Sequence, residues 1–134
     1  MLFRSKDHVA RITLNRPEAM NAMNPQLRWE LSRHWDEVEG NDDIWLAVVT
    51  GAGERAFSAG ADLKHRARER EADAAQRARW RQLAAETTSL IERWHFPKPV
   101  IARVNGFALG GGLDLFFAPL VRRLAGGLLS FGYE

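Results

Sequence analysis

Two short segments join small residues to an acidic residue, and each lies where an apolar strand is expected to lead into a helix. They are Phe57 to Leu63 (FSAGADL) and Asn105 to Asp114 (NGFALGGGLD). Small side chains let a ligand approach the backbone, and the first N–H groups of a helix are unpaired and lie at the positive end of its dipole. Such groups bind anions. If the two turns face each other, one N–H from each could hold a single oxyanion, as acyl chemistry requires when a carbonyl becomes an enolate.

The elements that precede these turns can be predicted from the spacing of apolar residues. Apolar and polar residues alternate from residue 10 to residue 14, which predicts a half-buried strand. Asn24 before Pro25 predicts the start of a helix, and apolar residues follow at helical spacing as far as Gly40. The apolar run from Ile44 to Thr50 predicts a strand that is covered on both faces.

The same pattern continues beyond the first glycine turn. Helix-forming residues from about Ala72 to Trp94 predict one long helix, which Pro97 and Pro99 would end. Val100 to Val104 then predicts another buried strand. Strands that alternate with helices are typical of an α/β fold in which helices pack on sheets, and the length of 134 residues predicts one domain.

The overall composition excludes several kinds of protein. The net charge is only +2, which gives no strong field toward nucleic acid or a membrane surface. Cysteine is absent, so disulfides and thiolate metal sites are excluded, and the four histidines lack metal-ligand spacing. No window approaches the roughly 20 apolar residues of a membrane span, and the N-terminus lacks the apolar stretch of a secretory signal. We therefore expect a cytoplasmic protein without a nucleic-acid or membrane partner.

Four motifs, taken in order, resemble the enoyl-CoA hydratase/isomerase (crotonase) family. The matching segments cover most of residues 10 to 115: ITLNRP with Asn21-Ala22, VVTG at 48–51, AFSAGADL at 56–63, and KPVIARVNGFALGGGLD at 98–114. The resemblance implies an α/β, crotonase-like (ClpP/crotonase) fold of repeated β-β-α units. Residues 1–134 would then be an acyl-CoA-binding domain that is incomplete at its C-terminus, since the family's domain is roughly twice as long. Full-length members would form a homotrimer or a dimer of trimers, which we do not assume for this shorter chain.

The same resemblance assigns roles to particular residues. The N–H groups of Ala61 and Gly111 would form the oxyanion hole, and coenzyme A would arrive as part of the substrate, with no metal or redox cofactor. Basic side chains would contact its phosphates. The residues expected to bind the substrate or CoA are Arg16, Ala19, Ala22, Ala59, Asp62, Leu63, Lys64 and Phe107. Asp62 is equally well interpreted as the cap of the helix that follows it.

Two carboxylates would complete the catalytic site. Asp114 lies three residues after Gly111, on the same face of the predicted helix, where hydratases of the family have glutamate. Aspartate is one methylene shorter, and a retreat of about 1 Å can cost about 100-fold in rate, so isomerase or hydrolase chemistry also stays open. Glu134 lies twenty residues after Asp114 and is the candidate for the second carboxylate, although the family's Phe-Gly-x-Pro-Glu motif is replaced by Phe131-Gly132-Tyr133-Glu134.

The expected function is therefore that of an enoyl-CoA hydratase/isomerase-like lyase or isomerase of fatty acid metabolism. One alternative is a truncated family member that binds acyl-CoA without catalysis. A second is a dinucleotide-binding protein, because Gly51 to Ala56 (GAGERA) fits G-x-G-x-x-A directly after a buried strand. That interpretation requires a helix to open inside the glycine run, whereas the sequence continues into another turn.

Overall fold

The computed structural model describes residues 1–93 and 95–112, which form two β-sheets and three α-helices. The elements, in chain order, are β1 (Leu2–Lys6), β2 (Val9–Leu14), a 3-10 helix (Pro17–Ala19), α1 (Pro25–Gly40), β3 (Leu46–Gly51), β4 (Ala56–Ser58), α2 (Leu63–Glu71), α3 (Ala74–Ala85), β5 (Val100–Arg103) and β6 (Phe107–Ala108). This arrangement confirms the predicted α/β architecture.

The larger sheet has the strand order β1-β2-β3-β5. β1 pairs with β2 in an antiparallel hairpin, and β2, β3 and β5 are parallel to one another. Ala10, Ile12 and Leu14 are fully buried, as their alternation predicts. The smaller sheet pairs β4 with β6 in parallel. Its two strands carry the chain directly into the two glycine turns.

Helix α1 begins and ends close to the predicted residues. The Asn24 side chain accepts a hydrogen bond from the Leu27 N–H, which satisfies one of the free donors of the first turn. At the other end of α1, the Lys98 ammonium group donates to the carbonyls of Val38 and Asn41, each at 2.6 Å. A cation at this position satisfies unpaired carbonyls and complements the helix dipole.

The apolar face of α1 packs on the larger sheet and forms most of the core. Its members are spaced as a helix requires, and all are buried: Leu27, Leu31, Trp35 and Val38. They contact buried residues of β2 and β3 together with Leu90 and Phe96. The core therefore lies between α1 and the sheet, beneath the turns that follow the strands.

The prediction of one long helix from residue 72 to residue 94 is wrong. Helix α2 ends at Glu71, and α3 begins after Asp73, whose carboxylate accepts a hydrogen bond from the Gln76 N–H. This cap lies close to the predicted start near Ala72, so the error concerns where the helix ends. The helix then stops at Ala85, and Leu90 enters the core from a turn.

Two further differences concern strands. β5 is not the buried strand that its sequence predicts, because Ile101 is 51% exposed and the strand pairs with β3 on one side only among the described residues. Strands β4 and β6 lie within segments that we interpreted as turns alone. They have three and two residues, which is too short for an apolar period to be visible.

Candidate active site

The two glycine turns lie side by side because the strands that lead into them are paired. The Leu109 N–H donates to the Ser58 carbonyl at 3.0 Å, just beyond the β4–β6 pairing. At Gly60, φ is +84°, and an added Cβ would lie 2.5 Å from the Leu109 carbonyl oxygen and 2.9 Å from the Gly111 nitrogen. Only glycine allows this approach. The residues before the two predicted oxyanion donors are therefore in backbone contact.

The residues on both sides of Ala61 are held by the segment before α1. The Met23 N–H donates to the Gly60 carbonyl at 2.7 Å, and the Asp62 N–H donates to the Met23 carbonyl at 3.2 Å. Ala59 is fixed in the same way, through its N–H and the Met20 carbonyl at 2.9 Å. Among the hydrogen bonds of the described residues, none uses the N–H of Ala61.

The second turn ends with Gly111 and Gly112, which have helical backbone geometry. The Gly112 N–H donates to the Leu109 carbonyl at 2.9 Å. The Gly111 N–H makes no such bond within the part of the chain that the structure describes. Each turn therefore has one unengaged N–H beside the contact between the turns, and an unengaged N–H at a helix start is suited to an anionic oxygen.

Arg16 and Asp62 form an ion pair that braces the first turn. One guanidinium nitrogen lies 2.9 Å from the Asp62 carboxylate and donates to the Ala22 carbonyl at 2.6 Å. The other Asp62 oxygen accepts from the His65 N–H and caps α2, as we had considered from the sequence. Burial by itself would raise the pKa of Asp62, but the hydrogen bonds from His65 and Arg16 and the charge of Arg16 together outweigh it. The pKa therefore lies below its ordinary value.

A network of buried polar residues lies beneath the turns, and the sequence did not predict a role for these residues. Asn21 is fully buried, and its amide donates to the carbonyls of Ala52 and Ala56. Ser58 is equally buried, and its hydroxyl donates to the Asn21 carbonyl at 2.9 Å and accepts from the Gly60 N–H at 3.2 Å. The available sequence signal was Asn21 itself, because asparagine tolerates the left-handed conformation, here φ 54°, better than most residues.

The other residues predicted to contact CoA lie around the same turns. Ala19 ends the 3-10 helix, and Ala22 is 8% exposed. Leu63 and Lys64 are exposed in the first turn of α2, and Phe107 of β6 is 67% exposed. An exposed leucine and an exposed phenylalanine beside a backbone donor pair are suited to contacting a ligand. Asp114 and Glu134, the two predicted carboxylates, lie outside the described residues.

An open cleft of about 470 Å³ begins at Gly111 and extends between α1 and the segment after α3. Its lining includes the apolar side chains of Met23, Leu31 and Leu90 and the charged side chain of Arg28. Among the described residues, no cluster of histidine and acidic side chains could hold a metal ion. No described helix combines the length and apolar character needed to cross a membrane.

The glycine run Gly51 to Ala56 does not open a helix. It connects β3 to β4, and Gly53 within it adopts φ +78°. A dinucleotide-binding turn would place the start of a helix at this point. The fold is instead that of an α/β protein in which two glycine turns are in backbone contact.

Comparisons with known proteins identify the family. The family model for enoyl-CoA hydratase/isomerase matches residues 4–121. (E)-benzylidenesuccinyl-CoA hydratase from Thauera aromatica is 41% identical over 112 residues, covering 84% of this chain and 41% of the relative. Short-chain-enoyl-CoA hydratase from Clostridium acetobutylicum is 35% identical over 115 residues, covering 86% and 42% respectively.

The comparison with solved structures identifies the same family. A crystal structure of an enoyl-CoA hydratase/isomerase from Xanthobacter autotrophicus Py2 superposes with a TM-score of 0.70 at 36% identity, covering 87% of this chain and 42% of that one. The chain belongs to the enoyl-CoA hydratase/isomerase family and has the crotonase fold. It spans about two fifths of the length of these relatives.

Proposed function

We propose that this chain binds an acyl-CoA thioester and stabilises the enolate of its acyl group, as enoyl-CoA hydration or isomerisation requires. The observation that carries the proposal is the backbone contact between the two turns, with N–H groups on Ala61 and Gly111 that no described residue engages. Two donors fixed in advance stabilise negative charge as it develops on a thioester oxygen. Each donor of this kind is typically worth about 3–4 kcal/mol in the transition state.

Proton transfer is assigned to the predicted carboxylates. Asp114 would act as the acid or base, because three residues after Gly111 in a helix brings a side chain over the same ligand. Glu134 would be the second carboxylate. The shorter aspartate leaves both hydration and isomerisation within the proposal. CoA enters with the substrate, and the proposed chemistry uses no metal or redox cofactor.

The exposed residues around the turns support binding of the CoA portion. Lys64 is exposed and has no ion pair within the described chain, so its charge is available to a phosphate. The charge of Arg16 is compensated by Asp62, so we expect Lys64 to contribute more to phosphate binding than Arg16. Two relatives, from Thauera aromatica and Clostridium acetobutylicum, are named for CoA thioesters, which supports the same ligand class here.

The test compares two ligands that differ at the proposed oxyanion. Acetoacetyl-CoA has the thioester carbonyl and ionises to an enolate with its own ultraviolet absorption, whereas S-butyl-CoA is a thioether without that oxygen. We expect tighter binding of acetoacetyl-CoA by calorimetry and a lower apparent pKa for the bound ligand, followed by its absorption. Equal affinity and an unchanged ligand pKa would contradict enolate stabilisation. NADH serves as the control for dinucleotide binding.

Catalysis is tested separately with crotonyl-CoA. Loss of the enoyl absorption, or formation of free CoA, would show turnover by the 134-residue chain. Binding without turnover would instead support the second candidate function, that of a family member that binds acyl-CoA without catalysis. The aspartate at position 114 is the observation in favour of this candidate. The expectations of a cytoplasmic location and of a trimer in full-length relatives stay predictions.

A further inference from the structure

The cleft beside Gly111 is lined by polar as well as apolar side chains. Most polar side chains in its wall already have partners. The Ser32 hydroxyl accepts from the Thr88 N–H at 2.9 Å, and the Thr87 hydroxyl donates to the Leu83 carbonyl at 2.6 Å. The Glu92 carboxylate accepts from both the hydroxyl and the N–H of Ser89, at 2.6 and 2.7 Å. One oxygen of this carboxylate is therefore engaged, and the other makes no hydrogen bond among the described residues.

One charged group in the same wall can only donate. The Arg28 guanidinium makes no hydrogen bond or ion pair with any residue in the described part of the chain, and its side chain is exposed. The indole N–H of Trp35 also lacks a partner among the described residues, but it is fully buried, so a ligand in the cleft does not reach it. A ligand acceptor therefore gains most from Arg28, whose charge-assisted hydrogen bonds are stronger than those of a neutral donor. The Thr88 hydroxyl makes no hydrogen bond among the described residues and can donate or accept.

Arg28 lies close to the proposed thioester site. Its terminal nitrogen is 3.7 Å from the position that a Cβ would occupy on Gly111. An acyl chain that leaves a carbonyl held at Gly111 and enters the cleft must pass this guanidinium within its first few carbons. Arg28 and Arg93 also act on Glu92: after the hydrogen bonds from Ser89, which are the largest cause, their charges help to keep the pKa of Glu92 below its ordinary value. The positive field of Arg28 thus reaches into the cleft wall.

We propose that this cleft selects CoA thioesters whose short acyl group carries a carboxylate, and that Arg28 is the residue that recognises it. The assignment rests on the proposed function, because it requires the thioester carbonyl to lie at Gly111. A guanidinium binds a carboxylate through two parallel N–H donors, which makes the pair stronger and more specific than contact with a neutral chain. Glu92 opposes the preference, because the hydrogen bonds from Ser89 lower its pKa and keep it charged, so the expected selectivity is the net of attraction to Arg28 and repulsion from Glu92.

The experiment measures binding of succinyl-CoA and butyryl-CoA to the 134-residue chain by calorimetry. Both acyl groups have four carbons, and they differ only in a terminal carboxylate or methyl group. We expect succinyl-CoA to bind about tenfold more tightly, and the preference to weaken with added salt because Arg28 is exposed to solvent. Arg28→Gln should abolish the preference while leaving butyryl-CoA affinity within about twofold, and Arg28→Lys should keep part of it.

Arg33→Gln is the matched control, because it removes the same charge from the same helix outside the cleft, and it should leave the preference intact. Equal or tighter binding of butyryl-CoA by the unmodified chain would overturn the inference, as would a preference that survives Arg28→Gln. A preference that appears only after Glu92→Gln would also overturn it, since Arg28 would then be paired with Glu92 in solution. If neither thioester binds, the proposed function itself fails.

Discussion

Replacing Gly60 with alanine tests the contact on which the candidate site depends. Its φ of +84° is unfavourable for alanine by about 1–2 kcal/mol. The new Cβ would in addition lie 2.5 Å from one backbone atom of the second turn and 2.9 Å from another, and neither belongs to a flexible side chain. Overpacking of this kind costs about 1–3 kcal/mol, so we expect Gly60→Ala to reduce the free energy of unfolding by about 2–5 kcal/mol.

A second glycine separates the two parts of that cost. Gly53 has nearly the same φ, +78°, but a Cβ there would meet only the Pro17 side chain, at an ordinary contact distance of 3.5 Å. Gly53→Ala should therefore cost only about 1–2 kcal/mol, from the backbone conformation alone. The difference between the variants measures the clash between the two turns.

Urea unfolding of the three proteins, followed by tryptophan fluorescence, supplies the free energies. The chain has five tryptophans, including the buried Trp35, so the unfolding signal is strong. We also expect only Gly60→Ala to weaken binding of acetoacetyl-CoA, because its turn must move relative to Gly111. If Gly60→Ala is no more destabilising than Gly53→Ala, the turns are not in contact in solution and the proposed oxyanion site is wrong.

Three further predictions concern side chains that hold the same region. Asp62→Asn keeps the helix cap but loses the ion pair with Arg16, and it should cost about 1 kcal/mol in urea unfolding at pH 7. Because the pKa of Asp62 is lowered by folding, this stabilisation is present above the ordinary value of 3.8 and is lost as the pH falls through the folded pKa. The cost of Asp62→Asn should therefore shrink steadily as the pH is lowered below 3.8. Glu18→Gln, which removes the exposed carboxylate 4.0 Å from Arg16, should change nothing, and a loss as large as that of Asp62→Asn would argue against the ion pair. Asn21→Ala leaves one buried and one partly buried carbonyl without this donor and should cost about 2–4 kcal/mol, whereas a loss below about 1 kcal/mol would mean that water replaces the amide. Asn24→Ala should cost about 1 kcal/mol through loss of the α1 cap, and Asn24→Asp, which can still accept the bond, should restore the stability.

The sequence predicts an element well where one regular period dominates it. Strand β2 and helix α1 each bury one face on the core, so alternation in one and helical spacing in the other are visible without coordinates. The prediction of one long helix is wrong for a related reason. Helix propensity in an Arg- and Ala-rich stretch is a weak preference, and beyond Ala85 it is overridden by the turn that buries Leu90 in the core.

The candidate site shows the same limit. Small residues next to strands were enough to single out the two turns, but their contact follows from the pairing of β4 with β6, which the sequence left as a condition. The partner of Arg16 could not be predicted, since Asp62 lies 46 residues further along the chain and each side chain taken alone looks available to a ligand. The roles of Asn21 and Ser58 were equally hidden, because they follow from burial of their hydrogen-bonding groups.

Ser58 serves both turns at once, since its hydroxyl holds the Gly60 N–H and its carbonyl holds the Leu109 N–H. If either turn moves away, Ser58 loses a hydrogen bond, and the contacts of Ser58 with the other turn are weakened. The amide protons of Gly60 and Leu109 should therefore exchange with deuterium at a common rate, as members of one cooperative unit. A mutation on either side would then disturb both, and paired substitutions would have less than additive effects.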